Sequence, residues 1–262
     1  MDKILPSHPE SYKNLLKHSI RLYYVSFTKV ILLAFFLSII VFIPRFLSDI
    51  VEQDLFLHLS PFHLYRFYLV LIDLAGLIFF IAIIWRMNCI IRDIHEPLIQ
   101  DFSVGIRKVF YVFVATVLQS AIIFAVAMII LGLLLLYHAH FLFARHIAGS
   151  IITTCIFIGQ LILILYVGTL FYFFIPLIAL ENKGILTSLE RSVSLVWNHW
   201  WRVFSLQLTP WICYVVLLII MKRGLDINIH IYFVEHSVHS VNTTCLNVVI
   251  FALFIPWAAA IL

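Results

Sequence analysis

The chain is 262 residues long, 64% hydrophobic and only 11% charged, against the roughly 45–50% apolar and 25% charged of soluble domains. So little polar surface excludes a soluble globule of this size, whereas helices that face lipid use the apolar excess directly. A formal net charge of +4 is too modest to signal nucleic-acid binding.

Along the chain, Lys3, Lys13, Lys17 and Arg21 precede an apolar run that ends at Pro44-Arg45 with no small-residue cleavage site. The first span is therefore expected to persist rather than to act as a signal peptide. Apolar runs near 30–48, 67–87, 115–136, 150–175, 203–221 and 243–262 are each long enough to cross about 30 Å of hydrocarbon. The fourth is the longest and is expected to tilt or to run past the interface. Twelve Lys and Arg fall before span one and in the loops after spans two and four, and five fall on the other side. The excess predicts that both termini are cytoplasmic. Cys89, Cys155, Cys213 and Cys245 lie in or beside apolar runs without C-x-x-C or metal spacing, so they read as small hydrophobes.

Three basic or polar, aromatic-rich stretches each run into a span: His18 to Val30, Val104 to Thr116 and Arg191 to Val203. Ser19, Gly105 and Ser192 within them are 86 and 87 residues apart. Each stretch reads as a helix in the cytoplasmic interface that turns into the bilayer. The polar residues inside spans two, four and six, Asp73, Gln160 and Asn247, are 87 and 87 residues apart. Polar groups in spans usually face protein or water, so these three are expected at one depth, converging where the units pack. The predicted fold is all-α: one transmembrane domain over 1–262, of about six spans. It divides into three similarly oriented elbow-helix-plus-hairpin repeats, 10–96, 97–183 and 184–262, around an axis along the membrane normal.

Between Phe173 and Phe204 the sequence reads Phe-Phe-Ile-Pro176, Leu180-Glu181-Asn182-Lys183-Gly184 and Leu189-Glu190-Arg191-Ser192. Leu195, Trp197 and Trp200-Trp201-Arg202-Val203-Phe204 follow. This segment resembles the YciC-like family of bacterial inner-membrane proteins and the related membrane domain of some glycerophosphodiester phosphodiesterases. The resemblance implies a bacterial inner membrane and little chemistry. The phosphodiesterase relatives hold catalysis in a separate soluble domain, and the longest loops here are about twenty residues. Arg191 and Arg202, with Trp200 and Trp201 at headgroup level, are the candidate contacts for lipid phosphates. The more common arrangement for such a segment is an interface anchor in which Arg191 pairs with Glu181 of its own turn.

Eight of twelve histidines fall on the predicted outside, and His138-x-His140 and His236-x-x-His239 have spacings that suit two ligands on one metal. Whether His138, His140, His236 and His239 bind metal stays open. No Walker A loop, nucleophile elbow or HExxH motif occurs, and no cofactor is implied. The sequence therefore predicts a non-enzymatic multi-pass inner-membrane protein in envelope organisation, lipid handling or membrane-complex assembly. Its expected partners are membrane lipids and membrane proteins, not nucleic acid. The alternative is a small transporter or channel using Asp73, Gln160 and Asn247.

Overall fold

The computed structural model describes residues 12–50, 62–141, 147–181, 184–224 and 241–262, all helix apart from short turns. The helices are α1 (Tyr12–Ile50), α2 (Phe62–Ile91), α3 (Leu98–Phe141), α4 (Ile147–Leu170), α5 (Phe174–Glu181), α6 (Ile185–Val196), α7 (Trp200–Gly224) and α8 (Val241–Ile261). Six segments are long and apolar enough to cross a bilayer: Tyr12–Pro44, Tyr68–Ile91, Leu98–Met128, Phe157–Glu181, Trp200–Gly224 and Thr244–Ile261. They overlap the six expected runs, and the protein is all-α and multi-pass. Large side chains on their outer faces, such as Phe36, Phe110, Phe124, Phe157 and Ile220, are exposed, as lipid-facing positions should be.

The interfacial stretches behave unequally. His18 to Val30 and Val104 to Thr116 lie inside the unbroken helices α1 and α3. No proline interrupts either stretch, so nothing stops the helix before the span. Only the third stretch forms a separate helix. There α6 ends and a turn over 197–199 re-aims the chain into α7, with His199 N–H bonded to Val196 C=O at 2.8 Å.

The long fourth run also breaks. A turn over 171–173 divides α4 from α5, because Pro176 has no N–H for the carbonyl of Tyr172 and suits only the first turn of a new helix. Ser192 of α6 bridges the break: its hydroxyl donates to Leu170 C=O (2.9 Å) and accepts from Phe173 N–H (3.1 Å). At the end of α2, Asp93 takes a left-handed conformation (φ 57°). Asp93 N–H bonds Ile90 C=O and Ile94 N–H bonds Cys89 C=O, the Schellman arrangement that closes a helix.

Helices α1 and α8 pack antiparallel along most of their length. Val30, Ala34 and Leu37 meet Ile255 and Ala259 together with Ala82 and Ile83 of α2. Small residues allow this closeness, and Ser38 donates to Val248 C=O at 2.6 Å. A second core joins Ile81, Val112, Ala115, Phe171, Ile178 and Leu189 from α2, α3, α5, α6 and the turn before α5. Ser19, Gly105 and Ser192 are all buried small residues set against a neighbouring element. Ser19 receives Trp257 Nε1 of α8 at 3.4 Å, and Ser192 joins α6 to the α4–α5 break. A Cβ on Gly105 would stand 2.6 Å from the Ile78 carbonyl oxygen of α2.

Gly105→Ala should therefore destabilise the bundle by about 1–3 kcal/mol through overpacking against backbone. Gly159→Ala, which meets open space, should be neutral or mildly stabilising, since Ala favours helix by about 1 kcal/mol. Ser192→Ala strands two backbone groups and should cost about 1–3 kcal/mol. Thermal unfolding in one detergent checks all three.

Candidate functional site

Charge is sparse in this bundle, so its placement is informative. Arg86, near the end of α2, and Asp101, in the first turn of α3, are both buried and ion-paired, with Nε and Nη2 on Oδ2. The start of α3 favours a carboxylate through its free N–H groups. Arg86 Nη1 also donates to Glu96 C=O at 2.7 Å. The Glu96 carboxylate accepts from Trp85 Nε1 (3.1 Å) and from the Cys89 thiol (3.8 Å). The ligand atoms of Cys89, Glu96 and Asp101 lie within 4.8 Å of one another. The Arg86 guanidinium already neutralises Asp101, and its charge opposes a metal ion at the same spot. The junction therefore reads as a clamp that sets the end of α2.

Beyond the clamp, that end of α2 helps line a cavity of ≈550 Å3 on the side of the bundle holding the start of α1 and the end of α8. Helices α1, α2, α5, α7 and α8 all contribute walls, as does Phe173 of the α4–α5 turn. The walls are mainly apolar, with Leu22, Ile84, Met87, Val203, Leu206 and Ala259 among them. Two arginines, Arg92 and Arg202, also line it, with His18 and Asn88, and among the described residues no Asp or Glu side chain does. Arg92 is exposed and Arg202 half-buried, so the positive charge stands towards the rim. The volume is within the about 300–1,000 Å3 of ligand sites. An apolar recess with cationic side chains and no acidic ones suits an amphiphile with an anionic head.

The sequence candidates distribute as follows. Arg202 lines the cavity. Arg191 lies outside it, partly exposed, and pairs with Glu181 at 3.3 Å, the self-contained anchor expected as the more common arrangement. Trp200 packs edge-on against Tyr166 (5.2 Å between ring centroids) and Trp201 (5.1 Å). Trp201 itself is 64% exposed. Asp73 is exposed on α2. Gln160 is partly buried and its amide donates to Ala127 C=O at 3.5 Å. Asn247 is buried on α8, and its Oδ1 has no hydrogen-bond partner among the described residues. The structure does not bring these three together. Helix α4 has no substantial packing against α2 or α8, and no hydrogen bond joins the three side chains among the described residues. His138 and His140 lie on α3, but the placement of their side chains is outside what is described, and His236 and His239 lie outside the described residues.

Sequence reasoning missed Arg92, counted only for topology, and the Arg86–Asp101 pair. Acidic residues are few in this chain, and a lone Asp opening an apolar helix was a usable signal. Comparison with protein-family models, curated proteins and solved structures finds no match to the chain.

Removing one partner of the clamp leaves a buried charge uncompensated. Arg86→Gln or Asp101→Asn alone should cost about 3–5 kcal/mol, and the double variant less than the sum of the two. A double-mutant cycle of unfolding free energies in detergent tests this; additive losses would show the pair to be uncoupled.

Proposed function

We propose that this multi-pass protein resides in a bacterial inner membrane with both termini cytoplasmic, and that it is a non-enzymatic lipid-handling protein which holds an anionic amphiphile in the cavity at its cytoplasmic end. The observation that carries the reading is the cavity itself: apolar walls from five helices, with Arg92 and Arg202 and, among the described residues, no acidic side chain. The excess of Lys and Arg on the same side supports the orientation. The likeness of Phe173–Phe204 to the YciC-like family supports the bacterial inner membrane. The burial of Ser19, Gly105 and Ser192 against neighbouring elements supports a threefold internal repeat, in which each unit lays its interfacial stretch on the second span of the preceding unit. A central ion path has less support, because Asp73 is exposed on α2 and no hydrogen bond joins it to Gln160 or Asn247 among the described residues.

Native mass spectrometry of protein extracted in mild detergent should find an anionic lipid on the wild type. Arg92→Ala/Arg202→Ala should weaken retention about tenfold or more, since charge-assisted contacts to phosphate are worth about 1.5–3 kcal/mol each. Arg191→Ala, whose partner is Glu181, should retain lipid as the wild type does. A wild type that emerges without lipid, or a double variant that keeps it fully, overturns the reading.

A further inference from the structure

We infer that the occupant of this cavity is a bilayer-resident lipid with an anionic headgroup, admitted sideways from the membrane through the seam between α1 and α7. The inference rests on the lipid reading above and adds the route, and with it the class of ligand: a double-chain membrane lipid rather than an amphiphile dissolved in water.

Four observations converge on the seam. First, α1 and α7 both contribute to the cavity wall, through Leu15, His18 and Leu22 of α1 and Arg202, Val203 and Leu206 of α7. Yet they meet far less than α1 meets α8. An exposed hydrogen bond ties them, Tyr12 Oη to Thr209 Oγ1 at 2.8 Å.

Second, an open recess lies on the outer side of the seam, lined by Tyr12, His199, Trp200, Trp201, Arg202 and Ser205 among others. Arg202 lines both the recess and the cavity. A headgroup phosphate held on Arg202 can thus pass from one to the other without losing its countercharge. Third, the recess carries exposed Trp201 beside Trp200, and indole rings favour the headgroup level of a bilayer. The recess therefore opens where lipid headgroups lie, not into bulk water.

Fourth, α7 is softened next to the seam. Pro210 inside the helix leaves the carbonyl of Leu206 without its helical donor and favours bending there. Leu206 is itself a cavity residue. Ser205 and Thr209 turn their hydroxyls back onto the carbonyls of Trp201 and Ser205, at 2.8 Å each, a contact that also bends helices. The first turns of α7 can bend away at this point, and the start of α1 can part from α7 once the Tyr12–Thr209 bond opens, an exposed bond that costs little to break.

The test measures uptake of pyrene-labelled phosphatidylglycerol from vesicles by the full chain in nanodiscs. Tyr12→Cys/Thr209→Cys is built with the exposed Cys155, Cys213 and Cys245 replaced by alanine. The new pair is bridged by a reducible bis-thiosulfonate linker, since a direct disulfide would not span two groups whose side chains now meet only at their tips. Bridging should slow uptake about tenfold or more, as a closed gate lowers exchange rates rather than affinity, and reductant should restore it. Tyr12→Phe, which loses the tie, should load faster than wild type. Bridged protein that loads at the unbridged rate overturns the side entrance while leaving the lipid reading intact. Unbridged wild type that takes up no labelled lipid defeats both.

Discussion

An arginine and an aspartate with almost no access to solvent must stay together, because separating them in a low-dielectric setting leaves each charge without compensation. Arg86 and Asp101 impose that condition on the junction of α2 and α3, and the rest of the near end follows from it. The guanidinium also takes the carbonyl of Glu96, so the loop between the helices folds back onto α2. Asp93 supplies the left-handed residue that this reversal requires, a conformation Asp tolerates better than most side chains. With α2 closed at that point, Met87, Asn88, Ile91 and Arg92 are presented to the cavity. A buried ion pair is weak evidence of net stability, but it strongly restricts register.

Elsewhere, geometry is set by small residues at crossings. Gly105 brings α3 within contact of the α2 backbone, and Ser19 and Ser192 add a hydroxyl where a donor or a broken helix must be satisfied. In hydrocarbon, an unpaired backbone group has no water to turn to. The break at Phe171–Phe173 is tolerated because Ser192 meets one carbonyl and one N–H there. The same break places Phe173, Pro176 and Leu180 in the cavity wall, so a backbone interruption inside a span becomes part of the site.

Much of the architecture was legible because the bilayer is a demanding solvent. Span number and approximate limits follow from apolar run length, and the near-equal spacing of Ser19, Gly105 and Ser192 marked three small residues that are all buried. Arg202 was also accessible to sequence reasoning, as a cation beside tryptophans at a span entrance. The elbows were less legible. Amphipathic composition describes a stretch equally whether it continues straight into a span or turns, and only the third has a turn to separate it.

What the sequence by itself determined, then, is the solvent, the number of crossings and where small residues recur, since each depends on local composition or spacing. Tertiary structure alone decided which cations share the cavity. Arg92 and Arg202 are 110 residues apart, and Arg191, the more motif-like arginine, turns outward to Glu181. It also put Gln160 on a helix without substantial packing against those of Asp73 and Asn247, although the regular spacing of the three promised convergence. Spacing along a helix fixes depth, whereas facing depends on rotation about the helix axis and on which helices are neighbours. Those are properties of the packed bundle, and they set the cavity between helices rather than on any one of them.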